Sequence, residues 1–143
     1  ALPRSLVKTA IERAIQIAQG RGIRRAMPLP VSAPFHCSLM QPAAEAMAEA
    51  LAKATIVAPK VPLVANVLAT AITDPAEIRK RLVEQVTGSV RWAEGMAYLG
   101  GQGVTRFVEV GSGKVLSGLV KRIVDGATAR AVGSPDDVNG YIA

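Results

Sequence analysis

The run V-T-R-F-V-E-V at 104–110, followed at once by G-S-G at 111–113 and then by V-L-S-G-L-V-K-R-I-V at 115–124, constrains the fold more than any other stretch. Apolar and polar residues alternate along the first part, the two-residue period of a strand with one buried face. Past the glycines the apolar residues recur at helical spacing, and a helix is expected over 114–124. A chain that passes from strand to helix across three residues needs a tight turn of the kind glycine permits. Strand–turn–helix units of this sort build α/β proteins.

The rest of the chain extends that reading. Residues 5–19 carry apolar positions at Leu6, Ala10, Ile11, Ala14, Ile15 and Ala18, one stripe of a helix that Gly20 and Gly22 would stop. Residues 25–31 suit a short strand, limited by Pro28 and Pro30 to a sheet edge or an entry segment. Residues 38–54 read as one long Ala-rich helix with Ser38 as cap and Pro42 in its first turn. A strand-like run, 61–67, ends near Asn66. Asp74 and Pro75 form a cap-and-first-turn pair opening a helix to about Val86, and 90–99 restarts as a helix. Gly100–Gly103 reads as a loop, 127–132 as a last strand and 135–142 as a last helix. Helices and strands in alternation predict an α/β fold with a largely parallel sheet.

Composition narrows the function classes. The 143 residues are half hydrophobic but only 3% aromatic, so Ala, Val, Leu and Ile must form the core. One cysteine, Cys37, permits no internal disulfide, and with one histidine it is too few for the usual zinc site. No apolar run reaches the ~20 residues that span a bilayer. The opening A-L-P-R-S-L-V-K-T-A-I-E-R-A lacks an apolar stretch with a cleavage site. A cytoplasmic chain without metal or membrane span is therefore expected. The net charge of +6 is uneven: six Lys and Arg in the first 25 residues face one acid, Glu12. Such a surface is a solvated face or an attractor of anions. Without an aromatic stacking series, a basic helix with heptads or finger spacing, nucleic acid is not the expected partner.

The one histidine, His36, lies in L-P-V-S-A-P-F-H-C-S-L-M-Q-P-A-A at 29–44, where a loop meets a helix. Two readings stay open from the residues alone. The imidazole satisfies local backbone groups, or it serves as a general base, the task for which imidazole is best suited near neutral pH. A base needs a nucleophile and an acceptor on its other nitrogen. Cys37 is adjacent in sequence, and neighbouring side chains diverge. Ser32, Ser38, Ser89 and Ser112 remain, and none sits in a G-x-S-x-G elbow. The G-S-G-K turn at 111–114 lacks the G-x-x-x-x-G-K-[ST] pattern of a phosphate loop.

Four stretches in series resemble the C-terminal portion of the malonyl-CoA:acyl carrier protein transacylases: L-P-V-S-A-P-F-H-C-S-L-M-Q-P-A-A, A-P-K-V-P-L-V-A-N-V, V-E-Q-V-T-G-S-V-R-W and G-V-T-R-F-V-E-V-G-S-G-K-V-L-S-G-L-V-K-R-I. The resemblance runs from about residue 7 to the end. It implies the C-terminal part of an α/β-hydrolase-like acyltransferase domain at 29–143, with a remnant of a ferredoxin-like small subdomain at 1–28. It implies ping-pong transfer of malonyl from coenzyme A to the phosphopantetheine thiol of acyl carrier protein, with malonyl-CoA as substrate and no permanently bound cofactor.

In that reading His36 is the general base and the backbone carbonyl of Gln85 orients it. Phe35 and Asn66 belong to the substrate pocket, where a bulky ring at Phe35 would restrict the acyl α-carbon. Lys121 and Arg122, with Arg91 behind them, are the expected contacts to the acidic carrier. The family's G-H-S-x-G serine, oxyanion glutamine and malonate-pairing arginine would lie upstream and have no counterpart in these residues. A base without its nucleophile and oxyanion donors performs no transfer, so this chain alone is expected to be inactive. The competing readings are a non-catalytic basic module that binds acyl carrier protein, and a degenerate remnant.

Overall fold

The computed structural model describes residues 4–28 and 33–142. The chain divides into two compact units, Ala1–Phe35 and His36–Ala143, seven residues beyond the boundary expected between 28 and 29. In the first unit, helix α1 spans Arg4–Gly20. Gly22 takes a left-handed φ of 85°. That turn returns the Gly22 and Ile23 N–H groups to the Gln19 and Ala18 carbonyls, at 3.0 and 3.1 Å. The edge strand expected at 25–31 is not found over 25–28, and 29–31 lie outside the described residues. Pro28 has no N–H to give a ladder, and this unit has no strand among its described residues to pair with.

The second unit opens with a short 3-10 helix, Ser38–Met40, and helix α2, Gln41–Lys53, in place of one continuous helix. Pro42 explains the break. An α-helix through this point would need the residue-42 N–H to reach the Ser38 carbonyl, and proline has none. The Gln41 N–H takes that carbonyl instead, tightening the turn. Ser38 is not the cap: Cys37, extended at φ −147°, precedes the 3-10 turn without a side-chain capping bond.

Strands β1 (Leu63–Val64) and β2 (Ala71–Ile72) pair antiparallel, Leu63 with Ile72 and Val64 with Ala71. The strand expected over 61–67 is thus only two residues long, and β2 was not foreseen. Between them the 65–70 loop closes through the Ala69 N–H on the Ala65 carbonyl at 2.8 Å, with Ala69 left-handed at φ 57°. Helix α3, Pro75–Glu84, has Asp74 as cap, its carboxylate accepting the Glu77 N–H at 2.8 Å. It leaves through a turn in which the Gly88 N–H returns to the Glu84 carbonyl at 2.9 Å. A side chain at Gly88 would lie 3.1 Å from Val67 Cγ1, so glycine lets the 65–70 loop rest on this turn.

Helix α4 is Trp92–Gly101, running two residues into the expected loop. Strands β3 (Arg106–Val110) and β4 (Thr128–Val132) pair in parallel, Arg106 with Thr128 through Val110 with Val132. Among the described residues this is the one parallel pair, and the β1–β2 pair corrects the expectation of a largely parallel sheet. Helix α5, Val115–Val120, is shorter than the expected 114–124. Its end tightens as the Ile123 N–H joins the Val124 N–H on the Val120 carbonyl, both at 2.9 Å. Helix α6, Pro135–Ile142, follows β4 as expected. Met96, Val120 and Val124 form the buried core, flanked by Trp92, Leu99, Phe107, Ile123, Ala127 and Ala129. Gly100 lets α4 close on Val124, whose Cγ1 lies 2.8 Å from where a Cβ would sit.

Candidate functional site

His36 has a left-handed backbone, φ 58°. For a residue with a Cβ this conformation is sparsely populated, and such strain concentrates where a side chain must be aimed. Here the imidazole Nδ1 lies 2.8 Å from the Gln85 backbone oxygen. A carbonyl only accepts, so Nδ1 carries the proton, and in the neutral ring Nε2 then keeps its lone pair. Gln85 is the C-cap of α3, and the last carbonyls of a helix have no partner inside it. The helix end thus supplies both a free acceptor and the negative pole of the backbone dipole.

The Gln85 side chain is held in turn. Its Oε1 accepts from Asn66 Nδ2 at 3.2 Å. The Asn66 carbonyl accepts the Arg91 N–H at 2.9 Å, and Arg91 Nη1 donates to the Leu68 carbonyl at 3.1 Å. Arg91 also grips Glu94, with Nε donating to Oε1 at 3.0 Å and Nη2 closing on Oε2. Hydrogen bonding and charge from Arg91 hold the Glu94 carboxyl below its ordinary range, and Glu94 raises Arg91. The structure therefore brings His36, Gln85, Asn66 and Arg91 into one hydrogen-bonded series. A cavity of about 170 Å³ lies beside Asn66 and Arg91, backed by Trp92, Met96 and Leu99.

None of the other expected site residues shares a hydrogen bond with this series among the described residues. Phe35 belongs to the first unit and is exposed. Lys121 and Arg122 are exposed just past α5, with no acidic partner at ion-pair distance among the described residues. A larger cavity, about 270 Å³, is lined mainly by Phe107, Val108, Val110, Leu116 and Val120 and holds none of the expected site residues. No hydrogen bond joins the imidazole to Ser38, Ser89 or Ser112 among the described residues, and Ser32 lies outside them. The arrangement is an imidazole with an acceptor that orients its ring.

The G-S-G-K turn is no phosphate cradle. The Glu109 carboxylate takes the Leu116 and Ser117 N–H groups at 3.2 and 2.8 Å, and the Ser117 hydroxyl at 2.7 Å. An anion from the protein itself occupies the helix N-terminus where a phosphate would bind. The Ser117 hydroxyl, then its N–H, holds the Glu109 carboxyl below its ordinary value. Sequence reasoning missed this cap and the Arg91–Glu94 clamp. The three-residue spacing of Arg91 and Glu94 on a helix start was the one available signal. Among the described residues, no group of three or more His, Cys, Asp or Glu side chains could hold a metal ion. No described helix is long and apolar enough to cross a membrane.

No family model matches the chain. Over 128 residues, 90% of its length, it is 50% identical to a Salmonella typhimurium protein named malonyl CoA-acyl carrier protein transacylase. Over the same length it is 43% identical to the Bacillus subtilis protein of that name. It spans 41% and 40% of those two proteins, a match to their C-terminal portion. Among solved structures it resembles the acyl-carrier-protein-S-malonyltransferase of Bartonella henselae, with a TM-score of 0.82 and 46% identity over 94% of this chain and 43% of that one. It also resembles a chain from a complex of a type II PKS acyl-carrier protein with its malonyl-transacylase, with a TM-score of 0.80 and 40% identity over 92% of this chain and 43% of that one.

Proposed function

We infer that these residues are the C-terminal portion of a malonyl-CoA:acyl carrier protein transacylase, and that the complete enzyme transfers malonyl from coenzyme A to the phosphopantetheine thiol of acyl carrier protein. The hydrogen bond from His36 to Gln85 carries the reading. It fixes the tautomer that a general base requires, on a chain homologous over 90% of its length to proteins of that name. His36 Nε2 accepts the proton of a serine hydroxyl as the serine attacks the malonyl thioester. The positive charge then formed on the ring rests at the C-terminal end of α3. The protonated ring gives that proton to the departing coenzyme A thiolate. In the second half-reaction it takes the proton of the carrier's thiol, which attacks the malonyl ester, and returns that proton to the departing serine oxygen. A main-chain acceptor stands where such triads more often place an aspartate.

The serine, the oxyanion donors and the cation for the malonate carboxylate belong to residues outside these 143, so we assign no turnover to them alone. Asn66 supports the site floor, and Phe35 restricts the acyl α-carbon. Lys121 and Arg122 face the acidic carrier. The fold assignment within this reading is an α/β-hydrolase-like domain with a ferredoxin-like remnant at its start, in a cytoplasmic enzyme.

The test is intact-mass analysis of the complete polypeptide after exposure to malonyl-CoA. The expected result is a single malonyl adduct that disappears when phosphopantetheinylated carrier is added. An enzyme that acquires no adduct contradicts the reading.

A further inference from the structure

Resting on that reading, we propose that Arg91 is a positioning residue for the acyl transfer: clamped by Glu94, it holds the 65–70 loop so that Asn66 grips Gln85 and keeps the carbonyl that orients His36 in place. Backbone bonds onto the Ala65 carbonyl close the loop, with Ala65 and Ala69 buried, and Arg91 adds ties from outside it. Its flanking strands pair over two residues each, and Ala69 is left-handed. Arg91 binds this loop twice, through its N–H on the Asn66 carbonyl and its Nη1 on the Leu68 carbonyl. Glu94 takes the other edge of the guanidinium, so the side chain has one geometry rather than many. The loop meets the Gln85 turn at two places: the Asn66–Gln85 side-chain bond, and Val67 against Gly88. Displacement of Asn66 frees the Gln85 side chain, at the residue whose carbonyl sets the ring of His36.

Arg91 therefore differs from Lys121 and Arg122. Its charge is matched by Glu94, and each guanidinium nitrogen has a partner. A role as carrier contact would require it to leave the Leu68 carbonyl and Glu94.

The two roles separate in the half-reactions, because malonylation of the serine by malonyl-CoA involves no carrier. In the complete enzyme, Arg91→Ala is expected to slow carrier-free malonylation about tenfold or more, since a displacement of ~1 Å can cost ~10² in rate. The KM for carrier and its salt dependence should stay as they are. Malonylation at the parent rate with a raised carrier KM overturns the proposal, as does an unchanged rate in a variant that merely melts lower.

A second readout does not depend on activity. In the complete polypeptide the ring nitrogen-15 signals of His36 are those lost in His36→Ala. The parent chain should show Nδ1 protonated and Nε2 bare. Arg91→Ala should shift the signals toward averaged tautomers, and unchanged signals overturn the proposal. Should Arg91→Ala not fold, Glu94→Gln leaves the arginine in place but loosens its clamp, and the same two readouts apply. If the complete polypeptide transfers no malonyl, the ring signals still decide the positioning claim while the functional reading falls.

Discussion

The His36–Gln85–Asn66–Arg91 series and the Met96–Val120–Val124 core are built on opposite principles. The core residues are each at most 8% exposed and carry no polar atom that needs a partner. The site series has no buried member. It is fixed by directed hydrogen bonds, one strained backbone angle and a helix end whose carbonyl is free. Packing holds the core because apolar area removed from water is stabilising in any orientation. A base must point one way, and only directional bonds supply that. Stability and the aim of the imidazole are thus largely separable here, and substitutions should show it.

The largest effect on folding should come from the core. Met96→Ala should destabilise the protein by about 2–5 kcal/mol, the usual range for emptying such a site. Urea denaturation of parent and variant checks this, and an unchanged midpoint would break the contrast. A smaller effect is expected at a helix start. Asp74→Ala should remove about 1 kcal/mol with the cap on α3. Because α3 also presents Gln85, this variant shows whether a loosened helix start reaches the far end. We expect a lower Tm with malonylation intact.

The smallest change is a pH dependence of stability. The Ser117 hydroxyl and N–H lower Glu109, and the Ser134 hydroxyl, then the Gly133 and Ser134 N–H groups, lower Asp137. A carboxyl lowered in the folded state contributes stability that is complete above its ordinary value, 4.5 for Glu109 and 3.8 for Asp137. That contribution is lost as pH falls through the lower folded value. Thermal melts should therefore decline below those values, and Glu109→Gln should flatten part of the decline. Parallel melting curves for parent and variant across that range would remove Glu109 from the account.

The sequence was legible where one residue type decides the outcome. Asp74 and Pro75 start α3 where expected, and the G-S-G turn joins β3 to α5 because the backbone there needs φ values of 137° at Gly111 and 92° at Gly113. It was less legible where a missing N–H or a short pairing governs. Pro42 split one predicted helix into a 3-10 turn and α2. The β1–β2 pair is too short to leave an alternating pattern, so the loop that presents Asn66 could not be foreseen. The His36–Gln85 contact joins residues 49 apart, and no local periodicity encodes it. Resemblance to a family pointed to it, and the atoms supplied the distance. The clamp on Arg91 had only an i,i+3 spacing to announce it.

The most direct test of His36 as the base is the pair His36→Ala and parent in the complete enzyme, each measured for carrier-free malonylation and for Tm. The account predicts a loss of about 10²–10⁴ in rate, the usual worth of a positioned base, with Tm almost unmoved. A His36→Ala enzyme that keeps most of its malonylation rate would contradict it.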